Sequence, residues 1–168
     1  MHSHLFSART INQVDTGFSI IKITKFNQTI DHLELLIRRL QEYKCIKYSY
    51  MHIDVDADKL TIERERIQGS SLDKILEYSQ SHMDTFEALI LAYRRACDMF
   101  DSHGFGFIIT DYKELSNILI EESGEMQLID FEDSFTTTND RDKWTEYWDI
   151  AVKHSDLELK RIALLSKI

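Results

Sequence analysis

The stretch from His103 to Glu132 constrains this chain more than any other. A helical run ends there at His103, and three short apolar runs follow, at residues 107–110, 117–121 and 126–129. Each is long enough for a small strand or a loop anchor and no more. Glu122-Ser123-Gly124-Glu125 supplies a hairpin turn between the last two. Polar residues punctuate these runs in a fixed order: Asp111, Lys113, Asn117 and Asp130. Taken singly, an Asp-Phe pair or a surface Asp near a loop Asn is a turn or a cap. An ordered set with strand, turn and strand between its members is much harder to obtain by accident.

The rest of the pattern is that of an α+β chain. Residues 6–14 and 18–26 read as a hairpin around Asp15-Thr16-Gly17, its second arm rich in β-branched residues. Asn27 or Thr29 suits the cap of a helix running to Glu42, with Leu33, Leu36, Ile37 and Leu40 at helical spacing. Two extended stretches, 46–55 and 60–67, are parted by the polar turn Asp56-Ala57-Asp58-Lys59. Gly69-Ser70-Ser71 precedes a short helix over 72–80. A longer helix over 84–102 presents Phe86, Leu89, Ile90, Tyr93, Ala96, Cys97 and Phe100 on one face. Residues 141–168 are expected to be mostly helical, with Trp144, Tyr147 and Trp148 packed in the core.

Composition narrows the function classes. The 168 residues make a single domain. Twenty Lys and Arg against 29 Asp and Glu leave a formal charge of −9, which gives no general attraction for nucleic-acid backbones or anionic membranes. Apolar runs fall far short of the roughly 20 residues of a membrane span. The first ten residues carry no apolar stretch suited to a secretory signal. Cys45 and Cys97 lie far apart with no His or Cys at metal-ligand spacing, and read as buried free thiols in a reducing compartment.

The set from His103 to Glu132 resembles the catalytic core of protein kinases. His103 lies eight residues before Asp111, Gly106 three after His103, Lys113 two after Asp111, and Asn117 thirteen before Asp130, as in that family. The resemblance implies a reduced two-lobed protein-kinase-like fold within the α+β class. Residues 1–67 would form a β-rich N-lobe with one helix, and 68–168 a truncated, mostly helical C-lobe. It also implies ATP and Mg2+ as cofactors. Asn117 and Asp130 would then be metal ligands, Asp111 would orient the attacking hydroxyl and take its proton, and Lys113 would offset charge on the transferred phosphoryl group. Upstream, Lys22 resembles the phosphate-binding lysine and Glu34 its ion-pair partner, with Lys25 and Glu42 competing for those roles. The run from Leu60 to Leu72 resembles the strand entering the interlobe hinge, which makes Glu65 and Ile67 the candidates for pairing with adenine.

The chain departs from the family in four places. Six residues carry it from Asp111 to Asn117, one more than usual, and Leu115 stands where Pro is common. Ile109-Thr110 replaces His-Arg, which removes a receptor for an activation-loop phosphate. Glu132 replaces the Gly after Asp130-Phe131, adding charge beside the metal site and removing backbone freedom. No G-x-G-x-x-G and no Ala-Pro-Glu occur, so the phosphate cover is expected to be missing or reduced to the turn at residues 15–17, and the peptide-docking platform to be incomplete.

The whole resembles stripped-down bacterial relatives, namely lipopolysaccharide-core sugar kinases and minimal effector kinases. The expected function is constitutive transfer of the ATP γ-phosphate to a protein Ser/Thr hydroxyl. A sugar or lipid-core kinase, a pseudokinase binding module and a nucleotide-transferring variant are the alternatives. ATP and a protein substrate are the expected partners, with no nucleic acid and no integral membrane association. The expected location is the cytoplasm, or a host cytosol for a delivered effector.

Overall fold

The computed structural model describes residues 10–110 and 115–165, apart from the side chains of 10, 11, 156–158, 161, 162 and 165. The chain divides into two compact units, residues 1–35 with 47–67 and residues 36–46 with 68–168.

The first unit is built on a four-stranded antiparallel sheet of β1 (Thr10–Asp15), β2 (Ser19–Lys25), β3 (Tyr50–Asp56) and β4 (Lys59–Glu65), in the order β1-β2-β4-β3. The β-branched run of β2 makes it an inner strand, paired with β4 from Ser19↔Glu65 to Lys25↔Lys59. The β1–β2 turn needs Gly17, whose φ of +91° is a left-handed value that other residues rarely adopt. This turn spends its own polar groups. The Gly17 amide donates to Asp15 Oδ1 at 2.8 Å, the Thr16 amide to the Ser19 carbonyl at 3.0 Å, and the Phe18 and Ser19 amides to Thr16 Oγ1 at 3.3 and 3.0 Å. Arg66, just after β4, then pins Asp15 at 2.9 Å.

Helix α1 (Ile30–Glu42) begins where Thr29 caps it, its Oγ1 accepting from the His32 amide at 3.3 Å. The anticipated stripe is buried, with Leu33, Leu36 and Leu40 fully so. The helix contributes to both units, since Leu36–Ile46 groups with the second.

The second unit holds two small sheets. One orders β5 (Ser70–Ser71), β8 (Ile118–Ile120) and β9 (Met126–Leu128) as β5-β8-β9. The other orders β6 (Asp98–Met99), β7 (Phe105–Ile109) and β10 (Phe135–Thr138) as β10-β7-β6. Against them lie α2 (Gln80–Cys97), α3 (Phe100–His103) and α4 (Arg141–Leu165). The core is aromatic: Tyr93 meets Trp148 edge-on at 4.9 Å, Phe107 meets Phe135 at 6.0 Å, and Trp144 joins Trp148 and Phe100 at 6.1 and 5.7 Å. Trp144 and Trp148 are thus core residues as expected, whereas Tyr147 is only half-buried, and Trp144 also donates its indole N–H to the Phe107 carbonyl at 2.9 Å.

Three expectations need correction. The short helix over 72–80 is a single 3-10 turn, Leu72–Lys74. The Leu72 carbonyl takes the Ile75 amide and the Tyr78 hydroxyl instead of continuing a ladder. The long helix starts earlier and stops sooner than 84–102. Ser79 and His82 close a capping box at its start. At its end Arg39 draws off the terminal carbonyls, donating from Nε to Ala96 O at 3.0 Å and from Nη2 to Arg95 O and Asp98 O at 3.0 and 3.2 Å. Finally, β10 has no counterpart in the sequence reading. It pairs antiparallel with β7 from Phe135↔Ile109 to Thr138↔Gly106. The result is an α+β fold of small antiparallel sheets and four helices, compatible with a reduced two-lobed kinase-like fold. Among the described residues no helix is long and apolar enough to cross a membrane.

Candidate functional site

The site is best built from the β8–β9 ribbon of the second unit. Its register pairs Ile118 with Leu128 and Ile120 with Met126 across a turn in which Gly124 has φ +92°. Asn117 closes a 3-10 turn, Leu115–Asn117, and enters the ribbon directly. Its main-chain oxygen accepts the Ile129 amide at 2.9 Å, which extends the ladder by one rung. Asp130 is the next residue, so Asn117 and Asp130 sit at the same open end of the ribbon. Both are half-buried.

Asp130 has φ +60°, in the left-handed region. Asp tolerates this better than most residues but still pays in strain, of order 1–3 kcal/mol. The turn in the backbone interrupts strand alternation at Asp130, one of the two candidate metal ligands. Neighbouring bonds hold it there. The Leu128 amide donates to the Cys45 carbonyl at 2.9 Å, and the Ser134 amide to the Phe131 carbonyl at 3.1 Å. Phe131 and Glu132 are buried at 1% and 0% exposure. Glu132 is therefore an interior residue rather than a solvated charge.

Asn117 and Asp130 supply an amide oxygen and a carboxylate, hard donors of the kind Mg2+ takes, and both keep access to solvent. Among the described residues no group of three or more His, Cys, Asp or Glu could hold a metal ion, so these two are the donors that a magnesium–phosphate site would use. Asp111 and Lys113 lie outside the described residues.

In the first unit, burial separates the two candidate lysines. Lys22 is 4% exposed on inner strand β2, between Gln13 and Ile62, whereas Lys25 is exposed at the end of the strand, opposite Lys59. A lysine is rarely buried without a specific role or partner. Glu34 and Glu42 are both exposed on α1. Glu65 has its main chain engaged, its amide with Ser49 O at 2.9 Å and its carbonyl with Arg64 Nη1 at 3.1 Å. Ile67 is half-buried in the segment that leads out of the unit, and among the described residues no hydrogen bond engages its main chain.

The thiols take no part. Burial pushes the Cys45 thiol up to about 12 and raises that of Cys97 as well, which leaves both protonated and poor nucleophiles. Both are free and buried, as their spacing indicates.

Sequence reasoning missed three supporting features: the left-handed backbone at Asp130, the Arg39 clamp, and the bonds from Thr110 to Ser134 described below. None leaves a signal in residue type alone, although Asp at position 130 is one of the few residues that suits such a backbone.

No family model and no curated protein matches the chain. Solved structures similar to it include a crystal structure of WbdD at 13% identity and TM-score 0.42, covering 79% of this chain and 33% of that one. Another, of the bifunctional kinase-methyltransferase WbdD, matches at 16% identity and TM-score 0.39 over 79% of this chain and 32% of that one. A third, of WbdD with the kinase inhibitor LY294002, matches at 14% identity and TM-score 0.46 over 86% of this chain and 37% of that one. The chain spans about a third of the length of these solved structures.

Proposed function

We propose that this chain is a kinase-like phosphotransferase that binds Mg·ATP and passes the γ-phosphate to a hydroxyl, with a protein Ser/Thr side chain as the acceptor. The observation that carries the reading is the strained Asp130 held beside Asn117 at the end of the β8–β9 ribbon. Strain of this kind persists only where surrounding bonds impose it, and it gathers at functional sites.

In this reading Asn117 and Asp130 hold the metal. Mg2+, when bound, neutralises phosphate charge and orients the phosphoryl group for in-line attack. Asp111 orients the acceptor hydroxyl and takes its proton, and Lys113 offsets charge on the oxygens being transferred. Lys22, rather than Lys25, is the phosphate lysine, because it alone of the two is buried. The Ile67 main chain is better placed than that of Glu65 to meet the base, since the Glu65 groups are already bonded.

A second reading is a small-molecule hydroxyl, such as that of a sugar, as acceptor. It is favoured by the segment after Asp130. That segment turns at Ser134, runs straight into β10 and reaches α4 at Arg141, which leaves little chain on which to lay an extended peptide.

The test is to follow melting temperature and intact mass of the protein with Mg·ATP, alone and with generic protein and sugar acceptors. Nucleotide at 100 times its dissociation constant should add about 2.7 kcal/mol of stability. No stabilisation with any nucleotide and metal would sink the reading. Stabilisation with no transfer to any acceptor would leave a binding module, and gain of a nucleotide mass would mean transfer of the nucleotide itself.

A further inference from the structure

Thr110 follows the last residue of β7, Ile109, and immediately precedes Asp111 in the chain. Its amide and its hydroxyl both donate to the Ser134 carbonyl, each at 2.8 Å. Ser134 passes the connection on, with its amide 3.1 Å and its hydroxyl 3.3 Å from the Phe131 carbonyl. Ser134 and Phe131 are each 1% exposed, so the bond between them is shielded from competing water, while the Thr110 hydroxyl bond is part-buried. Thr110, Ser134 and Phe131 thus form a strap that runs from the residue after β7 to the Phe131–Glu132 peptide, one peptide beyond those that flank Asp130.

The two bonds from Thr110 differ in kind. The amide bond continues the β7–β10 ladder and any residue but Pro could make it. The hydroxyl bond fills the second lone pair of the same carbonyl and needs Thr or Ser. A ladder bond alone would leave the Ser134 peptide freer to rock, and with it the Phe131 carbonyl. The left-handed Asp130 needs over-determination of this sort to stay in place.

We propose that the Thr110 hydroxyl is a positioning group, which holds the Asp130 backbone in its strained conformation through Ser134 and Phe131 and so sets the affinity of the metal site. This rests on the reading of Asp130 as a metal ligand. Groups that orient ligands from behind commonly change metal affinity about tenfold or more when removed.

The experiment titrates Mn2+ into the full chain by electron paramagnetic resonance and records the Asp130 amide signal by NMR, for wild type, Thr110→Val and Thr110→Ser. The expected result is Mn2+ binding weakened about tenfold in the Val variant and changed less than about twofold in the Ser variant. The Asp130 amide signal should move in Thr110→Val and return in Thr110→Ser. Wild-type Mn2+ affinity in Thr110→Val, or equal losses in both variants, overturns the proposal. If wild type binds no Mn2+, the metal reading itself fails. The strap is then judged by the Asp130 signal alone: displacement in Val and recovery in Ser supports it, and an unmoved signal overturns it.

Discussion

The main-chain oxygen of Asn117 accepts the amide of Ile129 at 2.9 Å, and this one bond brings the two candidate metal ligands to the same end of a two-stranded ribbon. It fixes the register at the point where Asp130 leaves the strand with φ +60°. The candidate ligand and the left-handed backbone therefore occupy a single residue, and substitution can pull the two apart. Asp130→Asn keeps a side chain tolerant of the left-handed region and should abolish metal-dependent stabilisation by nucleotide with little change in stability of the free protein. Asp130→Gly should also abolish it while raising the urea midpoint, by roughly 1 kcal/mol in stability, because glycine adopts this backbone without strain. A Gly variant less stable than wild type would show that the backbone is not strained.

Arg39 is the second test. Its guanidinium satisfies three carbonyls where α2 ends, and its planar fork suits that task in a way an ammonium does not. Arg39→Ala should cost about 2–3 kcal/mol in urea denaturation, since it leaves helix-terminal carbonyls without their charged donor. Arg39→Lys should recover less than half of that loss. Full recovery by Lys would mean that charge near the helix terminus, not the fork, is what matters.

Gly106 offers a packing test. A Cβ there would stand 2.6 Å from Phe100 Cε2 and Trp144 Cδ1 and 2.8 Å from Trp144 Nε1. The half-buried Phe100 ring and the buried Trp144 ring would have to move, and Trp144 is held by its bond to Phe107. Gly106→Ala is expected to lose about 1–3 kcal/mol, with a change in tryptophan fluorescence of the native state. Gly124→Ala meets nothing within 4 Å, so any loss there reports φ +92° alone.

Acid should release the β1–β2 turn. The Arg66 hydrogen bond, followed by the Gly17 amide, holds Asp15 below its ordinary value of 3.8. A depressed carboxylate contributes stability that is present in full above pH 3.8 and is lost as pH falls through the folded value. An NMR titration of the Asp15 carboxyl should give a midpoint below 3.8 in wild type that moves back toward 3.8 in Arg66→Ala. If the midpoint ignores Arg66→Ala, the ion pair is not its cause.

The thiols make the opposite case. Because Cys45 is raised to about 12 by burial, the stability linked to it is complete below the unfolded thiol value near 9 and is lost as pH rises from there. At pH 8 neither Cys45 nor Cys97 should react with iodoacetamide in the native protein, and both should react in urea. Rapid native labelling of either, read by intact mass, would contradict their burial.

Much of this was legible in the sequence. The β1–β2 hairpin, α1 with its Thr29 cap and buried leucines, the β8–β9 ribbon and the tryptophan core all follow from periodicity and turn residues. What was not legible depends on partners distant in sequence. Nothing local in Arg94-Arg95-Ala96-Cys97 says that a helix should stop there, because the cause is Arg39 on another helix. Phe135 to Thr138 has a strand-like composition, but only its partner β7 makes it β10. Periodicity on α1 gives the buried stripe of Leu33, Leu36 and Leu40, and it carries no information on which partner an exposed residue such as Glu34 meets.

Helix α1 has one further consequence, for the order in which the chain can fold. Its second half closes the larger unit through Arg39, whose contacts lie 56 to 59 residues downstream, and the Cys45 carbonyl that follows it waits for Leu128. During synthesis this helix emerges long before the surfaces it completes, so the larger unit depends on a late, long-range closure of the kind that folds slowly. A fragment beginning at Gln68 would lack that closure. The protein is therefore expected to resist dissection into two independently folding halves, and limited proteolysis at the connecting segment should leave the pieces associated.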